Sequence, residues 1–197
     1  MAAWGKHHMR RILAGLAFAA AALLAGCLAE SEHPIAAADP AKSDSRLWGS
    51  WLSEQEDGYM IAHVFATDGG TLQIALAEHD VEGIGKVDTY DGHVTQLPSG
   101  DYLNVVVTGQ EAGYVIGKYQ FDGTGTVSVW FPENDALIQA VKDGKLPGTI
   151  TAEGSGVDAR ITATAEQWQE FLAKAPEEFF GEPTIFKRIG PAYVAQQ

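Results

Sequence analysis

Residues 101–131 read DYLNVVVTGQEAGYVIGKYQFDGTGTVSVWF, and this stretch decides the fold. Three runs rich in valine, isoleucine and aromatic residues are separated by turn-forming clusters at Glu111-Ala112-Gly113 and Asp122-Gly123-Thr124-Gly125. Runs of this length between glycine-containing turns are typical of antiparallel strands. Because short links leave consecutive strands adjacent in space, the stretch predicts a β-meander.

Hydrophobic residues alternate along these runs. One face of each predicted strand is consistently apolar, with Leu103, Val105 and Val107 in one run and Val127, Val129 and Phe131 in another. The opposite face is only half polar and carries Tyr102 and Trp130. A face of that kind predicts packing under helices or against a neighbouring segment, while the apolar face lines a core.

Outward from this stretch, the same pattern predicts a mainly β fold with two short helices. The predicted strands are 47–53, 58–66, 71–79, 86–96, 101–108, 113–121, 125–131, 158–163 and 184–189. One predicted helix covers 135–143, with Asn134 as its cap and Gly144 at its end. The other starts at Thr164, where Thr164-Ala165-Glu166-Gln167 fits a capping box. The expected architecture is an antiparallel barrel, a sandwich or a strongly curved sheet.

The residues Gly49-Ser50-Trp51 resemble the G-x-W motif of lipocalin-like barrels. The resemblance implies that Trp51 plugs a closed barrel end and that a helix follows the last strand, a place that Trp168 to Leu172 could fill. The helix at 135–143 departs from that family because it interrupts the meander. The sequence is therefore compatible both with an eight-stranded closed barrel and with an open, strongly curved sheet.

The N-terminus has the pattern of a secretory signal. Lys6, Arg10 and Arg11 precede thirteen uncharged residues at 12–24, and Leu24-Ala25-Gly26-Cys27 follows. This motif resembles the lipobox of bacterial lipoproteins, which implies cleavage between Gly26 and Cys27 and attachment of diacylglycerol and an acyl chain at Cys27. The alternative is an uncleaved membrane anchor over 12–29. Translation from Met9 rather than Met1 would also give a compact signal.

The resulting organisation has four parts: a signal peptide at 1–26, a lipidated cysteine with a flexible tether at 27–46, a single β-rich domain at 47–190 and a tail at 191–197. The expected location is the bacterial cell envelope, anchored by lipid and facing the periplasm. Leu28 after the cysteine slightly favours the outer membrane, by resemblance to the enterobacterial sorting pattern.

Composition narrows the function classes. The 197 residues carry a formal net charge of −13, which argues against nucleic-acid binding. Removal of 1–26 takes away three basic residues and no acidic ones, leaving 10 basic and 26 acidic residues, or −16. A protein partner of such a chain is expected to be neutral or cationic. One cysteine allows neither an internal disulfide nor a cysteine-rich metal site.

Catalytic and metal motifs are not found, so an enzyme is not predicted. His79-Asp80, with Glu78 and Glu82 nearby, is the densest polar cluster, but neighbouring strand residues point to opposite faces, so no metal site is predicted there. His63 alternates with Ile61 and Phe65 and is expected to face inward as a core histidine.

Two functions remain. The first is binding of a small apolar ligand or lipid inside the barrel, with strand aromatics as candidate ligand-lining residues: Trp51, Tyr59, Tyr114, Tyr119 and Trp130. The same residues could instead be core pairs. The second is an acidic envelope protein that binds a cationic protein or peptide. A cavity above about 300 Å³ would favour the first, and a filled core the second.

Overall fold

The computed structural model describes residues 30–55, 58–80, 83–107, 113–153 and 156–190. The predicted signal peptide, Cys27 and the tail at 191–197 lie outside these residues. Among the described residues, no helix is both long and apolar enough to cross a membrane.

Eleven strands and two α-helices are found in the described ranges. The strands are β1 (Glu30–Ser31), β2 (Gly49–Gln55), β3 (Gly58–Ala66), β4 (Thr71–Asp80), β5 (Gly83–Leu97), β6 (Gly100–Val107), β7 (Gly113–Phe121), β8 (Thr126–Trp130), β9 (Gly148–Glu153), β10 (Gly156–Ile161) and β11 (Thr184–Gly190). The helices are α1 (Asn134–Lys142) and α2 (Ala165–Leu172). Short 3₁₀ turns lie at Pro40–Lys42, Ser45–Leu47, Asp68–Gly70 and Glu177–Phe179.

Eight of these strands form a closed antiparallel barrel. Strands β2 to β8 pair in sequence order, and β11 closes the ring by pairing with both β8 and β2. The segment between β8 and β11, which contains both helices, leaves the barrel after Trp130 and returns at Thr184, opposite Val129. An interrupted meander therefore still closes, and the predicted antiparallel barrel with two short helices is confirmed.

Two hydrophobic cores lie on opposite sides of the barrel wall. The interior core is built around Trp51, Met60 and Leu72. The second core lies outside, where Trp168 of α2 and residues of α1 and β10 cover Tyr102 and Ile116 on the outer face of β6 and β7. The half-polar strand face was expected to pack under helices, and Tyr102, only 1% exposed, does so.

The N-terminal segment is packed against the barrel. Strand β1 pairs with β7 and β10, and Ile35 is fully buried. The Asn104 side chain accepts a hydrogen bond from the Ile35 backbone N–H at 2.8 Å. Trp168 donates a further bond from Nε1 to Ser31 Oγ at 2.8 Å. The prediction of a flexible tether is therefore wrong for residues 30–46, because this segment buries apolar side chains and makes specific hydrogen bonds.

Two of the three predicted helix-terminal features are found in the structure. Thr164 and Gln167 form the predicted capping box of α2. Gly144, at φ 67°, follows α1 in the left-handed conformation that glycine tolerates. Asn134 is not the cap of α1, since Glu133 takes that place without a side-chain hydrogen bond.

Candidate functional site

The barrel encloses a cavity of about 170 Å³. The alternating apolar faces of the strands form its walls, so none of the lining side chains is charged. The lining residues are Leu47, Trp51, Ala62, Val64, Ile74, Leu76, Tyr90, Leu103, Val105, Val107, Val115, Val127, Val129, Phe131, Thr184 and Phe186. Such a wall favours an apolar occupant and supplies few hydrogen bonds.

Trp51 and Arg188 close one end of the barrel. Trp51 is 2% exposed, and its Nε1 donates a hydrogen bond to the Leu47 carbonyl oxygen at 2.7 Å. The Arg188 guanidinium lies over the Trp51 ring, 4.0 Å from the ring centre. The same guanidinium donates to the carbonyl oxygens of Trp48, at 2.6 Å, and of Arg46. These contacts bind the turn before β2 to the last strand of the barrel.

A buried carboxylate stabilises this closed end. Asp44 Oδ2 accepts hydrogen bonds from Arg46 Nη2 at 2.7 Å and from the Tyr119 hydroxyl at 3.0 Å. Burial by itself would raise the pKa of Asp44, but the hydrogen bonds from Arg46 and Tyr119 outweigh it and hold that pKa below its ordinary value. Burial and the neighbouring Asp44 charge raise the pKa of Tyr119, so its hydroxyl stays protonated as a donor.

Three charged side chains lie at the end of the barrel opposite Trp51, which we call the rim end. Leu76 and Tyr90 line the cavity. Glu78 follows Leu76 by two residues on the same strand face, and Asp88 is the cross-strand partner of Leu76. Lys86 forms an ion pair with Asp88 at 2.9 Å. We call Glu78, Lys86 and Asp88 the rim cluster.

The Glu78 carboxylate is the incompletely satisfied member of the rim cluster. Its Oε1 atom is buried and has no hydrogen-bond partner among the described residues. Burial, followed by the negative charge of Asp88, raises the pKa of Glu78, and Lys86 opposes this effect. Burial and Asp88 likewise raise the pKa of the adjacent Tyr90. Glu78, Lys86 and Asp88 are not among the residues that line the cavity, so the cavity wall itself stays uncharged.

Of the five predicted ligand-lining aromatics, only Trp51 lines the cavity. Tyr59 is 41% exposed and stacks on His79 with ring centres 4.5 Å apart. Tyr114 packs against the outer core, and Tyr119 is buried at the closed end. Trp130 is half-buried and is not part of the cavity wall. The prediction is therefore wrong for these four residues.

The error has a simple geometric cause. Tyr59, Tyr114 and Trp130 each neighbour an interior residue in sequence, so their side chains point to the other strand face. The aromatic residues that do line the cavity, apart from Trp51, are Tyr90, Phe131 and Phe186. Phe131 shares its face with Val127 and Val129, so strand alternation was the signal that could have found it.

The histidines within the described ranges form no recognisable catalytic or metal site. His63 was expected to face inward, but it lies on the outer wall, where Ser50 Oγ is 2.8 Å from its Nδ1. The interior positions of β3 are taken by Met60, Ala62 and Val64. Among the described residues, no carboxylate hydrogen-bonds to His63, and no group of three metal-ligating side chains is found.

Comparison of the chain with models of protein families, with curated proteins and with solved structures gives no match.

Proposed function

We propose that this protein binds a small apolar molecule in the barrel cavity. The observation that carries this proposal is the cavity of about 170 Å³ behind the Trp51 closure, walled by uncharged side chains. Burial of a ligand's apolar surface stabilises a complex by about 25 cal/mol per Å² before ordering costs. The strands fix the walls in advance, which keeps those costs low.

The size of the cavity narrows the ligand class. It is smaller than the roughly 300 Å³ typical of pockets for drug-sized molecules. It is close to the ~150 Å³ of an engineered apolar cavity that holds benzene. The occupant that fits is a group about the size of one aromatic ring. A long acyl chain could insert only its end.

The lipid anchor predicted from Leu24-Ala25-Gly26-Cys27 is part of the same proposal. Diacylglycerol on Cys27 would hold the barrel at a bacterial envelope membrane, where apolar molecules are concentrated. Anchoring by two or three acyl chains is stable, whereas a single chain is marginal. With a net charge of −16 after cleavage, the protein disfavours anionic ligands.

Calorimetric titration with ethylbenzene tests the proposal. We expect the purified protein to bind it with Kd on the order of 0.1–1 mM, or about 4–5.5 kcal/mol. Ala62→Leu places three more carbon atoms into the cavity and should abolish binding without unfolding the barrel. Ala77→Leu is the matched control, because Ala77 lies on the opposite face of β4 from the lining residues Ile74 and Leu76.

Failure of both the wild type and the control variant to bind ethylbenzene, or equal binding by the filled variant, would contradict the carrier proposal. The acidic interaction protein would then take its place. That alternative draws on the net charge and on Ile185 and Ile189, which are 50% and 53% exposed on the outside of β11.

A further inference from the structure

In the described part of the chain, no helix packs on one half of the barrel wall. The helices cover the outer side of β6 and β7, and β2 and β3 lie opposite these strands in the eight-stranded ring. Six large apolar side chains of the described residues are exposed, and five of them lie on the uncovered half: Tyr59, Phe65, Val87, Ile185 and Ile189. We call the outward surface of β11, β2, β3 and β4, with Val87 of β5 at its margin, the bare face.

Strand register makes the bare face continuous. Leu52 pairs with Lys187 on one side and with Ile61 on the other. Ile61 pairs with Ala77, which in turn pairs with Val87. Leu52 and Ile61 are half-buried on the outward side of their strands. The apolar surface therefore runs across five neighbouring strands rather than consisting of isolated side chains, and a continuous exposed patch of this kind is typical of an interaction site.

Charge is distributed unevenly between the bare face and the covered half. Of the residues that the four strands of the bare face turn outward, Lys187 and Glu54 are the charged ones, and they pair with each other at 2.8 Å. Residues 131–183, which contain both helices on the covered half, carry ten acidic against four basic residues. Two copies that met through their bare faces would therefore place these acidic segments on the far sides of the pair, where their mutual repulsion is weakest.

The size of the bare face fits a weak dimer. Strand β3 has nine residues and is about 30 Å long, and four adjacent strands are roughly 15–20 Å across. The face therefore measures about 500 Å² in each copy, so that a pair would bury about 1,000 Å². This area lies at the lower limit of specific interfaces, whose standard size is about 1,200–2,000 Å². We therefore expect reversible association.

We propose that the bare face is the contact surface between two copies of this chain, related by a two-fold axis. A second copy fits the face better than an anionic bilayer or a cationic protein, because the face has no net charge to attract either. The contact goes beyond the proposed ligand function, since the cavity lies on the inner side of the same strands. The lipid anchor proposed above would confine both copies to one membrane and raise their effective concentration.

Sedimentation equilibrium of the purified protein, in density-matched detergent for the lipidated form, tests this proposal. The wild type is expected to show a monomer–dimer equilibrium with Kd on the order of 10–100 µM. Ile185→Lys and Val87→Lys, on opposite sides of the bare face, should each weaken dimerisation at least ~10-fold, because each places an ammonium group against apolar surface. Both substitutions reduce the net negative charge, so a loss of dimer cannot result from stronger general repulsion.

Ile150→Lys is the matched control. Ile150 is an exposed isoleucine on β9, outside the bare face, so this variant should dimerise like the wild type. A wild type that stays monomeric up to ~200 µM would overturn the proposal, even if it bound vesicles through this face. Unchanged dimerisation in both bare-face variants, or an equal loss in Ile150→Lys, would also overturn it.

Ethylbenzene titration of the same samples separates this inference from the carrier proposal. Dimerisation without ethylbenzene binding would leave the dimer standing while the carrier proposal fails. Ethylbenzene binding by a wild-type monomer would have the opposite meaning. The concentration dependence of the wild type needs no variant to fold.

Discussion

Arg188 and Trp51 are direct cross-strand partners, and the guanidinium of Arg188 lies 4.0 Å from the centre of the Trp51 ring. The contact joins the last strand of the barrel to the first. Since the guanidinium also donates to the carbonyl oxygens of Trp48 and Arg46, one side chain holds the ring closure and the preceding turn together.

Arg188→Lys is expected to lower the free energy of unfolding by about 1–2 kcal/mol. Lysine keeps the charge but has no planar fork to reach two carbonyl oxygens while covering an indole ring. Urea unfolding measures the loss. Lys187→Ala is the control, because its pair with Glu54 is exposed to solvent and contributes little to stability. Equal losses in the two variants would contradict the role given to Arg188.

Trp51→Ala should lower the free energy of unfolding by about 3–5 kcal/mol, because it empties a site that is 2% exposed. Trp130, which is half-buried, offers the same substitution with a smaller expected loss. Urea unfolding of both variants gives the comparison. A loss below ~1 kcal/mol for Trp51→Ala would show that this side chain does not close the barrel.

The Asp44 carboxylate should make stability depend on acid pH. Hydrogen bonds from Arg46 and Tyr119 hold its pKa in the folded protein below the ordinary value of a free aspartate, so folding favours the ionised form. This contribution is complete above the unfolded pKa and is lost as pH falls through the folded pKa. Asp44→Asn should cost about 1.5–3 kcal/mol near neutral pH, with the difference from wild type shrinking below about pH 4. A constant difference between pH 6 and 2.5 would refute the assignment.

Asn104 should control whether the N-terminal segment stays on the barrel. Its side chain accepts from the Ile35 N–H and donates to the His93 carbonyl oxygen and Thr95 Oγ1. Asn104→Ala leaves these groups unpaired and should cost about 2–3 kcal/mol. Hydrogen exchange should show selective loss of protection at the Ile35 amide. Substitution of the exposed Gln96 by alanine on the neighbouring strand should leave that amide protected.

Cys27→Ser should prevent lipid attachment and processing, because the thiol is the acceptor of the diacylglycerol that the lipobox resemblance implies. Intact-mass analysis of the membrane fraction is the measurement. The expected mass for the unaltered chain is that of residues 27–197 with added lipid. A precursor-length chain with an unmodified cysteine in the wild type would exclude the anchor.

The barrel strands were predictable because their signals are local. Alternation in Leu103, Val105 and Val107 and the glycine turns after them specify strands and links within a few residues. The capping box at Thr164 is equally local. Barrel closure was harder to predict from the sequence, since Thr184 pairs with Val129 only after a segment of more than fifty residues has left the barrel and returned to it.

The N-terminal segment escaped prediction for a related reason. Strand β1 has only two residues, too few for any alternation, and its partners Tyr114 and Arg160 are distant in sequence. The residues of the cavity wall were mispredicted for a different reason. Aromatic character alone does not place a side chain in the barrel interior, because alternate residues of each strand point inward and outward. In the sequence Glu78 belongs only to a polar cluster, because its pairing with the interior residue Met60 depends on strand register.

If Cys27 carries the lipid proposed above, the packing of the N-terminal segment also limits the distance between the barrel and the bilayer. Glu30 begins β1, so three residues of chain reach back from it to Cys27, a span of about 10 Å at most. Ser31 pairs with Tyr114 at the start of β7, on the side of the barrel where β6 ends at Val107. A lipid on Cys27 would therefore orient the barrel with its rim end toward the headgroups, so that ligands could pass between membrane and cavity with little exposure to water.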